Sequence, residues 1–275
     1  MTNELEINSK QQTIQGVPLA NTSNFLSLRA ILQAEHLEGF NPTKEDVEEI
    51  IKKSKQEDKD FDRLYQKLFR EKRWTAMSDW ISSTLQPNGV LKNKLGINDE
   101  KELQHTEYML SSIAAFKLAK EHPEIKSVDD LKKIHKLMFD KLYDWAGKNR
   151  PGDFEKNGHA FFPREMFDMA ELDLNNHLES FPKKPKAEDY ARLLDEINYY
   201  HPFREGNGRS AKVFLQCLAA NHDQALNYPR KNDEMIKAQD KSDIKGIARL
   251  IRVDDTAKKT AAFTKMKELY LQLKS

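Results

Sequence analysis

Apolar residues recur along most of this chain at the three- and four-residue spacing of amphipathic helices, whereas strand-like alternation is almost absent. The pattern predicts an all-α fold. The periodicity begins at Phe25, and the first helix is expected to end at Gly39, because glycine readily adopts the left-handed conformation found just after a helix. Thr43 and Ser127, each with an aspartate three residues later, predict the starts of two further helices. Other helices are predicted at about 60–85, 98–123, 165–180, 187–200, 209–221, 232–251 and 263–273.

The same pattern divides the chain into segments. Residues 1–24 are rich in Asn, Gln, Thr and Ser without sustained periodicity, so they are expected to form a poorly ordered tail. Pro87-Asn88-Gly89 interrupts the helices and predicts a boundary between a small helical module at 25–85 and a larger domain at 86–275. Residues 146–163 contain glycine and proline with little helical period, which indicates a loop or a short hairpin.

The composition excludes several classes of protein. Of the 275 residues 38% are hydrophobic, enough for a packed core. Lys and Arg (45) nearly balance Asp and Glu (44), so the net charge of +1 supplies no overall attraction to nucleic acid or to an anionic membrane. The single cysteine, Cys217, excludes an intramolecular disulfide and a cysteine-based zinc site. The sequence shows neither signal-peptide charge order nor an apolar run of membrane-helix length, and we expect a cytoplasmic protein.

The segment from Tyr199 to Lys212 holds the strongest candidate chemistry. It joins two predicted helices through a loop whose glycines, Gly206 and Gly208, lie just before the second helix. Unpaired N–H groups and the positive end of the helix dipole make such a helix start an anion site, and glycine allows a ligand to approach the main chain. Arg209, in the first turn, can donate a pair of hydrogen bonds to phosphate oxygens. Because its charge opposes the helix dipole, Arg209 is expected to have a compensating anion nearby.

Three further residues of this loop carry reactive or ligating groups. Glu205 and Asn207 offer oxygens suited to Mg²⁺ beside phosphates. His201 can take a proton from an attacking hydroxyl, since histidine titrates near neutrality. A lone histidine is more often structural, and a Gly-Asn-Gly loop is usually a turn. Their combination within nine residues at a helix start nevertheless favours phosphate binding.

The run from His201 to Arg209 also matches the signature of the Fic family, H-x-F-x-[DE]-G-N-G-R-x-x-R, at all seven fixed positions through Arg209. Val90–Ile97 resembles the usual opening of a Fic core, and Leu142–Arg150 resembles the segment before the target-binding flap. The flap itself, here residues 156–163, is suggested by Lys156, Gly158, Phe162 and Pro163. The resemblance covers residues 90 to about 250 and implies a helical core with a short β-hairpin flap.

The resemblance implies a role for each matched residue. His201 would deprotonate a hydroxyl group of a target protein, which would attack the α-phosphorus of ATP and expel pyrophosphate. Phe203 would anchor the loop in the core, and Glu205 would hold Mg²⁺ on the α- and β-phosphates. The flap would hold the target by strand-like main-chain pairing. The nucleotide cradle would consist of Gly206, Asn207, Gly208 and Arg209, with Arg209 on the β-phosphate.

Two positions concern the edges of the nucleotide site. The last arginine of the family signature is Lys212 here. Lysine keeps the charge but loses the planar fork, so its contact to a γ-phosphate or to an inhibitory glutamate becomes a point-charge contact. Tyr228 lies where the family often lines the adenine pocket, and structural packing is the alternative interpretation.

A segment before the core resembles a regulatory one. Many Fic proteins are inhibited by a helix with the pattern [ST]-x-x-x-E-[GN], whose glutamate competes with the γ-phosphate. Glu38-Gly39 matches the end of this pattern, whereas Ala34 replaces the hydroxyl residue, so the helix is expected to be held less firmly. Glu38 is predicted to pair with Lys212 or Arg209 and inhibit the enzyme. The alternative is a plain helix end with Glu38 in solvent.

The resemblance therefore implies a protein adenylyltransferase that moves AMP from ATP to a Ser, Thr or Tyr hydroxyl, with Mg²⁺, in a self-restrained toxin–antitoxin type of regulator. Transfer of a phosphoryl or other phosphate-containing group, or a nucleotide-gated binding module with little catalysis, are the alternatives. The expected partner is a protein, neither a membrane nor nucleic acid. Topoisomerase subunits are targets of some antitoxin-linked relatives, which is analogy only. His135 is expected to be packed or at the surface, and the apolar stripe at 263–273 to dock on the core or on a second subunit.

Overall fold

The structure, a computed structural model, describes residues 5–56, 58–65, 84–153, 155–156, 159–229 and 233–272. The fold is mainly helical, as the periodicity predicts, with small antiparallel strand pairs. Its helices are α1 (Thr22–Leu37), α2 (Lys44–Ser54), α3 (Lys59–Tyr65), α4 (Glu100–Glu121), α5 (Val128–Phe139), α6 (Phe167–Glu179), α7 (Ala187–Tyr200), α8 (Asn207–Asn221), α9 (Asp233–Asp240), α10 (Ile244–Leu250) and α11 (Thr256–Gln272). Its strands are β1 (Ile7–Asn8), β2 (Thr13–Ile14), β3 (Val17–Pro18), β4 (Glu155–Lys156), β5 (His159–Ala160), β6 (Gln224–Asn227) and β7 (Arg252–Asp255).

The segment before α1 differs from the expected poorly ordered tail. Strands β1, β2 and β3 form an antiparallel sheet in which Ile14 pairs with both Ile7 and Val17. Ile14 and Val17 are buried in a hydrophobic cluster with residues of α1 and α4. The prediction of a disordered tail is therefore wrong for the described residues of this segment. Strands of two residues are too short to produce a visible alternation in the sequence.

Helix α1 is covered by the rest of the fold on most of its surface. It begins where the Asn21 side chain accepts a hydrogen bond from the Asn24 N–H, and it ends before Gly39, whose φ of +102° confirms the predicted left-handed cap. It packs against α4, α8 and β6. The module predicted at 25–85 thus shares its hydrophobic core with the larger domain over the residues that the structure describes. Most of the helix predicted at 60–85 lies outside those residues, and α3 is its first part.

Helix α8, which follows the candidate loop, lies at the centre of the molecule. It packs against α1, α4, α5, α7 and β6, and most of its side chains are buried. The predicted starts of α2 at Thr43 and of α5 at Ser127 are confirmed, and both show the expected capping box. The long helix α4, predicted at about 98–123, is capped by Asp99, whose carboxylate accepts the Glu102 N–H.

The C-terminal part departs from the predicted pattern. The helix expected at 232–251 is divided into α9 and α10 by Ser242, which has a φ of +48°, and Asp243, which caps α10. Strand β7 then pairs with β6, which the periodicity did not indicate because each strand has only four residues. Helix α11 covers the predicted stripe as far as residue 272, and its Met266 packs against the cluster around α1. None of the helices in the described ranges has the length and apolar character needed to cross a bilayer.

A buried ion pair joins α1 to β7. The Arg29 guanidinium lies 2.8 Å from the carboxylate of Asp254, and both side chains are almost fully covered. Burial opposes the ionisation of Asp254, but the hydrogen bond and charge of Arg29 lower the pKa of that carboxyl group. The two residues are 225 positions apart in the sequence. The pair therefore fixes α1 to a strand that lies far from it in the sequence.

Candidate active site

His201 lies at the junction between α7 and the loop leading to α8. It caps α7 in a left-handed conformation, with a φ of +44°. Its Nδ1 lies 3.3 Å from the main-chain oxygen of Asn198, which favours the Nδ1–H tautomer and leaves the basic lone pair on Nε2. The ring of Phe161, from the flap, stacks on the imidazole at 3.6 Å with 13° between the planes. The histidine is thus held from the main chain and from one ring face.

The Asn207 side chain closes the loop between His201 and α8. Its Oδ1 accepts the Phe203 N–H at 2.8 Å, and its Nδ2 donates to the Phe203 carbonyl at 2.9 Å. Phe203 itself is fully buried in the core. Oδ1 therefore already accepts one hydrogen bond in the loop, and its use as a Mg²⁺ ligand stays a prediction. Asn207 shapes the loop and contributes its N–H to the start of α8.

His135 supports the same loop from α5. It is fully buried and stacks on Phe203 with ring centres 3.7 Å apart. The Gly147 N–H donates to its Nδ1 at 2.8 Å, so the proton lies on Nε2, which donates to the Glu205 carbonyl at 2.9 Å. Burial lowers the pKa of His135 to about 3, so the ring stays neutral. Of the two predicted positions for His135, packed or at the surface, the structure shows the packed one. There the ring fixes the carbonyl group of Glu205.

The start of α8 presents main-chain N–H groups as an anion site. Ser210 is the first residue whose N–H bonds within the helix, to the Gly206 carbonyl at 2.9 Å, so the N–H groups of Asn207, Gly208 and Arg209 precede that ladder. Gly206 has a φ of +79°, and a Cβ there would lie 2.5 Å from the Phe139 ring. Glycine is therefore required at 206 both for the turn and for the close packing.

The structure brings Glu38 to this anion site. The Glu38 carboxylate forms an ion pair with Lys212 Nζ. The Lys212 side chain is only 2% exposed, whereas that of Glu38 is 32% exposed. A Cβ on Gly208 would lie 2.5 Å from Glu38 Oε1, so the carboxylate rests against the first turn of α8. A carboxylate thus lies where the helix dipole and a buried ammonium both favour negative charge.

Hydroxyl groups from α4 hold the end of α1 in place. Tyr108 donates to the Glu38 carbonyl, and Ser111 Oγ donates to Glu35 Oε1 at 3.2 Å. Phe40 stacks on the Tyr108 ring with centres 5.3 Å apart. The expectation that Ala34 leaves this helix loosely held is therefore not supported by the contacts. The hydroxyl groups that Ala34 lacks are supplied by a neighbouring helix.

Arg209 is buried between the rings of Tyr108 and Phe139, each 4.9 Å from its guanidinium carbon. Its Nη2 pairs with Glu107 and lies 3.4 Å from Glu205 Oε1. Burial opposes its charge, but the surrounding carboxylates, that of Glu107 foremost, raise its pKa further. Its Nη1 is buried with no hydrogen-bond partner among the described residues. Glu107 is the compensating anion expected from the sequence, but 102 residues separate the pair and no local signal identifies it.

Glu35 is a buried acid beside this network. Burial raises its pKa to about 8, from an ordinary value of 4.5. The folded chain therefore binds a proton there that the unfolded chain has released, and the free energy of unfolding falls as the pH rises between these values.

We expect Glu35→Gln to remove this pH dependence, because glutamine keeps an acceptor for Ser111 without a proton to lose. Compared with the wild type, the variant should gain up to about 1.4 kcal/mol of relative stability for each pH unit in this window. Denaturant unfolding at about pH 5 and about pH 8 measures this difference. An equal pH dependence in both proteins would contradict it.

The predicted hairpin is present as β4 and β5, which pair Glu155 with Ala160 and Lys156 with His159. The main chain of Lys156 thus lies in a strand. Gly158 lies outside the described residues. The Phe162 N–H donates to the Tyr199 carbonyl at 2.9 Å, which fixes the flap to the last turn of α7.

Two other candidates occupy different surroundings. Glu205 is half-exposed, and its Oε1 accepts the Gly206 N–H at 3.0 Å, so the carboxylate lies at the rim of the anion site. Its role as a Mg²⁺ ligand stays a prediction, which this position permits because a Mg²⁺ ion bound together with phosphates needs only one or two carboxylates. Tyr228 is buried in the main hydrophobic cluster, and its hydroxyl has no partner among the described residues. Packing explains its burial, and its contact with adenine stays a prediction.

We expect Gly208→Val to weaken nucleotide binding, because a β-branched side chain would fill the space against the first turn of α8. In the Glu38→Gly background, where no carboxylate competes for this space, the dissociation constant of an ATP analogue should rise by about tenfold or more. Calorimetric titration measures it, and the melting temperature reports whether α8 still folds. An unchanged affinity would show that the phosphates bind elsewhere.

Comparisons with known proteins identify the family of this chain. The family model described as Fic/DOC family matches residues 126–219. "Probable protein adenylyltransferase y4lH" of Sinorhizobium fredii is 33% identical over 141 residues, 47% of this chain and 70% of that protein. "Protein adenylyltransferase VbhT" of Bartonella schoenbuchensis is 32% identical over 158 residues, 54% of this chain. The match spans only 33% of VbhT.

The structural comparison supports the fold. The N-terminal Fic domain of a VirB-translocated effector protein from Bartonella quintana, solved with bound ADP, has a TM-score of 0.56 to this chain. The superposition covers 62% of this chain and 92% of that one, at 20% sequence identity. The sequence match to y4lH, the family model and the shared fold lead to one conclusion: the chain belongs to the Fic/DOC family.

Proposed function

We propose that this chain is a protein adenylyltransferase, which transfers AMP from ATP to a hydroxyl side chain of another protein. The observation that carries the proposal is the arrangement at the start of α8. The N–H groups that precede the α8 ladder, buried Arg209 with an Nη1 that has no partner among the described residues, and buried Lys212 lie within the first two turns of one helix, with His201 at the other end of the loop before it. Relatives named protein adenylyltransferases and an ADP-bound structure of the same fold support this assignment.

The chemistry follows from the loop. His201 Nε2 accepts the proton of the target hydroxyl as its oxygen attacks the α-phosphorus of ATP. The bond between the α-phosphorus and the bridging oxygen to the β-phosphate breaks, and pyrophosphate leaves with that electron pair. Main-chain N–H groups at the start of α8 and the Arg209 guanidinium stabilise the charge on the phosphates. A Mg²⁺ ion held by Glu205 would supply further charge neutralisation at these oxygens.

Autoinhibition through Glu38 is part of the proposal. Its carboxylate lies against Gly208 and pairs with Lys212, so the space and the cation that a γ-phosphate needs are both taken. Lys212 is almost fully buried, and removing its partner would leave an unpaired charge in the interior. The terminal phosphate of ATP would then become the preferred partner of Lys212. This is the arrangement expected of a self-restrained enzyme of the toxin–antitoxin kind.

Two alternatives use the same site. A phosphoryl transferase would require the γ-phosphorus to face His201, and a nucleotide-gated binding module would require no transfer. The position of Lys212 one turn into α8 favours a terminal phosphate held deep in the fold, away from the end of the loop that carries His201. This direction presents the α-phosphate to the base, which favours AMP transfer. We propose an ATP-containing reducing compartment, the cytoplasm, as its location, and a protein with an exposed hydroxyl as its target.

Labelled ATP distinguishes the three functions. The Glu38→Gly chain with Mg²⁺ is incubated in a bacterial cell lysate with ATP labelled either at the α- or at the γ-phosphate. Adenylylation predicts protein-bound label from the α-labelled ATP alone, with release of pyrophosphate. Label from γ-labelled ATP would support phosphoryl transfer, and binding without label from either would support a binding module. Mass spectrometry of the labelled band identifies the target and the modified residue type.

A further inference from the structure

Arg150 is a buried arginine that the chemistry above does not use. It is the last residue of the segment that precedes the flap, and it is 1% exposed. Its side-chain hydrogen bonds in the described residues go to main-chain carbonyls rather than to carboxylates. Burial lowers its pKa, but a guanidinium remains charged in proteins. Because its N–H groups donate to three main-chain carbonyls, this buried cation holds those carbonyls in fixed relative positions.

The three carbonyls belong to functionally different segments. Nε donates to the His201 carbonyl at 2.8 Å, Nη1 donates to the Gly152 carbonyl, and Nη2 donates to the Phe162 carbonyl. Gly152 lies just before the flap, and Phe162 lies near its end. The Arg150 N–H also donates to the Pro202 carbonyl at 2.6 Å. One residue therefore joins both sides of the flap to the main chain of the proposed base.

Two other contacts hold the flap in the same position relative to His201. The Phe162 N–H bonds to Tyr199, and the Phe161 ring stacks on the His201 ring. His201 needs such support because its φ of +44° is unusual for a residue with a side chain, and this conformation persists only where the surroundings fix it.

We propose that Arg150 is a positioning residue that sets the target-binding flap in register with His201. The proposal rests on the proposed function, since it concerns how a hydroxyl held by the flap meets the base. The flap, which would hold the target segment, and the imidazole at the end of α7 belong to separate parts of the chain. The planar fork of Arg150 fixes their separation, which lysine, with a single nitrogen, does not reproduce. None of the Arg150 hydrogen bonds among the described residues involves a residue of α8, so we expect nucleotide binding at the start of α8 not to depend on this clamp.

The test compares Arg150→Lys with Arg164→Lys in the Glu38→Gly chain. Arg164 is a matched control, because its guanidinium lies 4.9 Å from the Phe167 ring, as that of Arg150 does at 4.8 Å, and its Nε has no partner among the described residues. Protein-bound label from α-labelled ATP in lysate gives the initial rate. We expect Arg150→Lys to lower the rate at saturating ATP by about tenfold or more, with the KM for ATP within about twofold of the parent. Arg164→Lys should leave both within about twofold.

A second pair of measurements separates register from general stability. If Arg150 acts through the flap, Phe161→Ala and Arg150→Lys should be non-additive, and the double variant should lose less activity than the product of the single losses. Hydrogen exchange of the Phe162 amide should also accelerate in Arg150→Lys and not in Arg164→Lys.

Several results would overturn the proposal: equal rates in the two lysine variants, multiplicative losses in the double variant, or loss of binding of an ATP analogue together with transfer. The last result would show that Arg150 stabilises the fold in general and does not specifically position the flap. A parent chain that binds nucleotide but labels no protein would instead disprove the proposed function, and the Phe162 exchange rate would still decide the clamp.

Discussion

His201→Ala is expected to reduce label transfer from α-labelled ATP by about a thousandfold in the Glu38→Gly chain, while the affinity for an ATP analogue stays within about twofold. The proposed base is needed only when the target hydroxyl attacks, and the proposed phosphate site lies one loop away at the start of α8. Alanine removes the stacking partner of Phe161 but leaves the main-chain contacts of residue 201 in place. The initial rate of labelling and calorimetric titration of the analogue measure the two quantities.

The matched control is His105→Ala, on the exposed face of α4 and distant in sequence from the loop. This variant should transfer label at the parent rate. If His201→Ala retains transfer within about tenfold of the parent, His201 is not the base and the mechanism proposed here fails. If the analogue no longer binds, the residue supports the loop rather than the chemistry.

Glu38→Gly is expected to raise adenylylation by about tenfold or more over the wild type, because it removes the carboxylate that we propose competes with the γ-phosphate. The gain should be largest at low ATP, where the competitor is hardest to displace. Glycine suits the position, since residue 38 ends α1 and is followed by Gly39 in a left-handed conformation. The control is Glu49→Gly on an exposed face of α2, which should leave the adenylylation rate unchanged. An equal rate in wild type and Glu38→Gly would disprove autoinhibition.

Lys212→Arg should act in opposite directions in the two backgrounds. In the wild type, a forked arginine should grip the Glu38 carboxylate more tightly than a single ammonium does and lower the activity further. In the Glu38→Gly chain, the same arginine has no carboxylate to bind and should hold or improve the grip on phosphate. The ratio of rates in the four proteins measures this coupling. Equal effects in both backgrounds would show that residues 38 and 212 do not act on each other.

Local sequence signals identify the helices and the loop. The capping boxes at Thr43 and Ser127, the glycine at 39 and the loop from His201 to Arg209 all depend on neighbours within a few residues, and the structure has each where the sequence predicts it. The charge of Arg209 at a helix start even predicts that an anion must lie nearby. The family resemblance added Glu38, since the bare pair Glu38-Gly39 would otherwise suggest only a helix end.

Residues that act across the fold escape this reasoning. Glu107, His135 and Arg150 contact the loop from helices or segments that lie far away in the sequence, and nothing beside them marks a role. Short strands escape for a different reason, because two to four residues do not form a measurable alternation. The structural role of the Asn207 side chain also escapes, since only the fold shows that its oxygen accepts the Phe203 N–H.

The ion pair between Arg29 and Asp254 has a consequence for synthesis on the ribosome. Helix α1 is translated early, yet its docking surface includes α8 and β7, and the second of these is completed only after residue 254 emerges. The nucleotide site needs α8, which is translated in the same late stretch. When that stretch folds, the helix that precedes Glu38 has already been translated. Under the proposed autoinhibition, a newly folded chain should therefore acquire its nucleotide site with Glu38 already in place, so that few molecules are active before Glu38 restrains them.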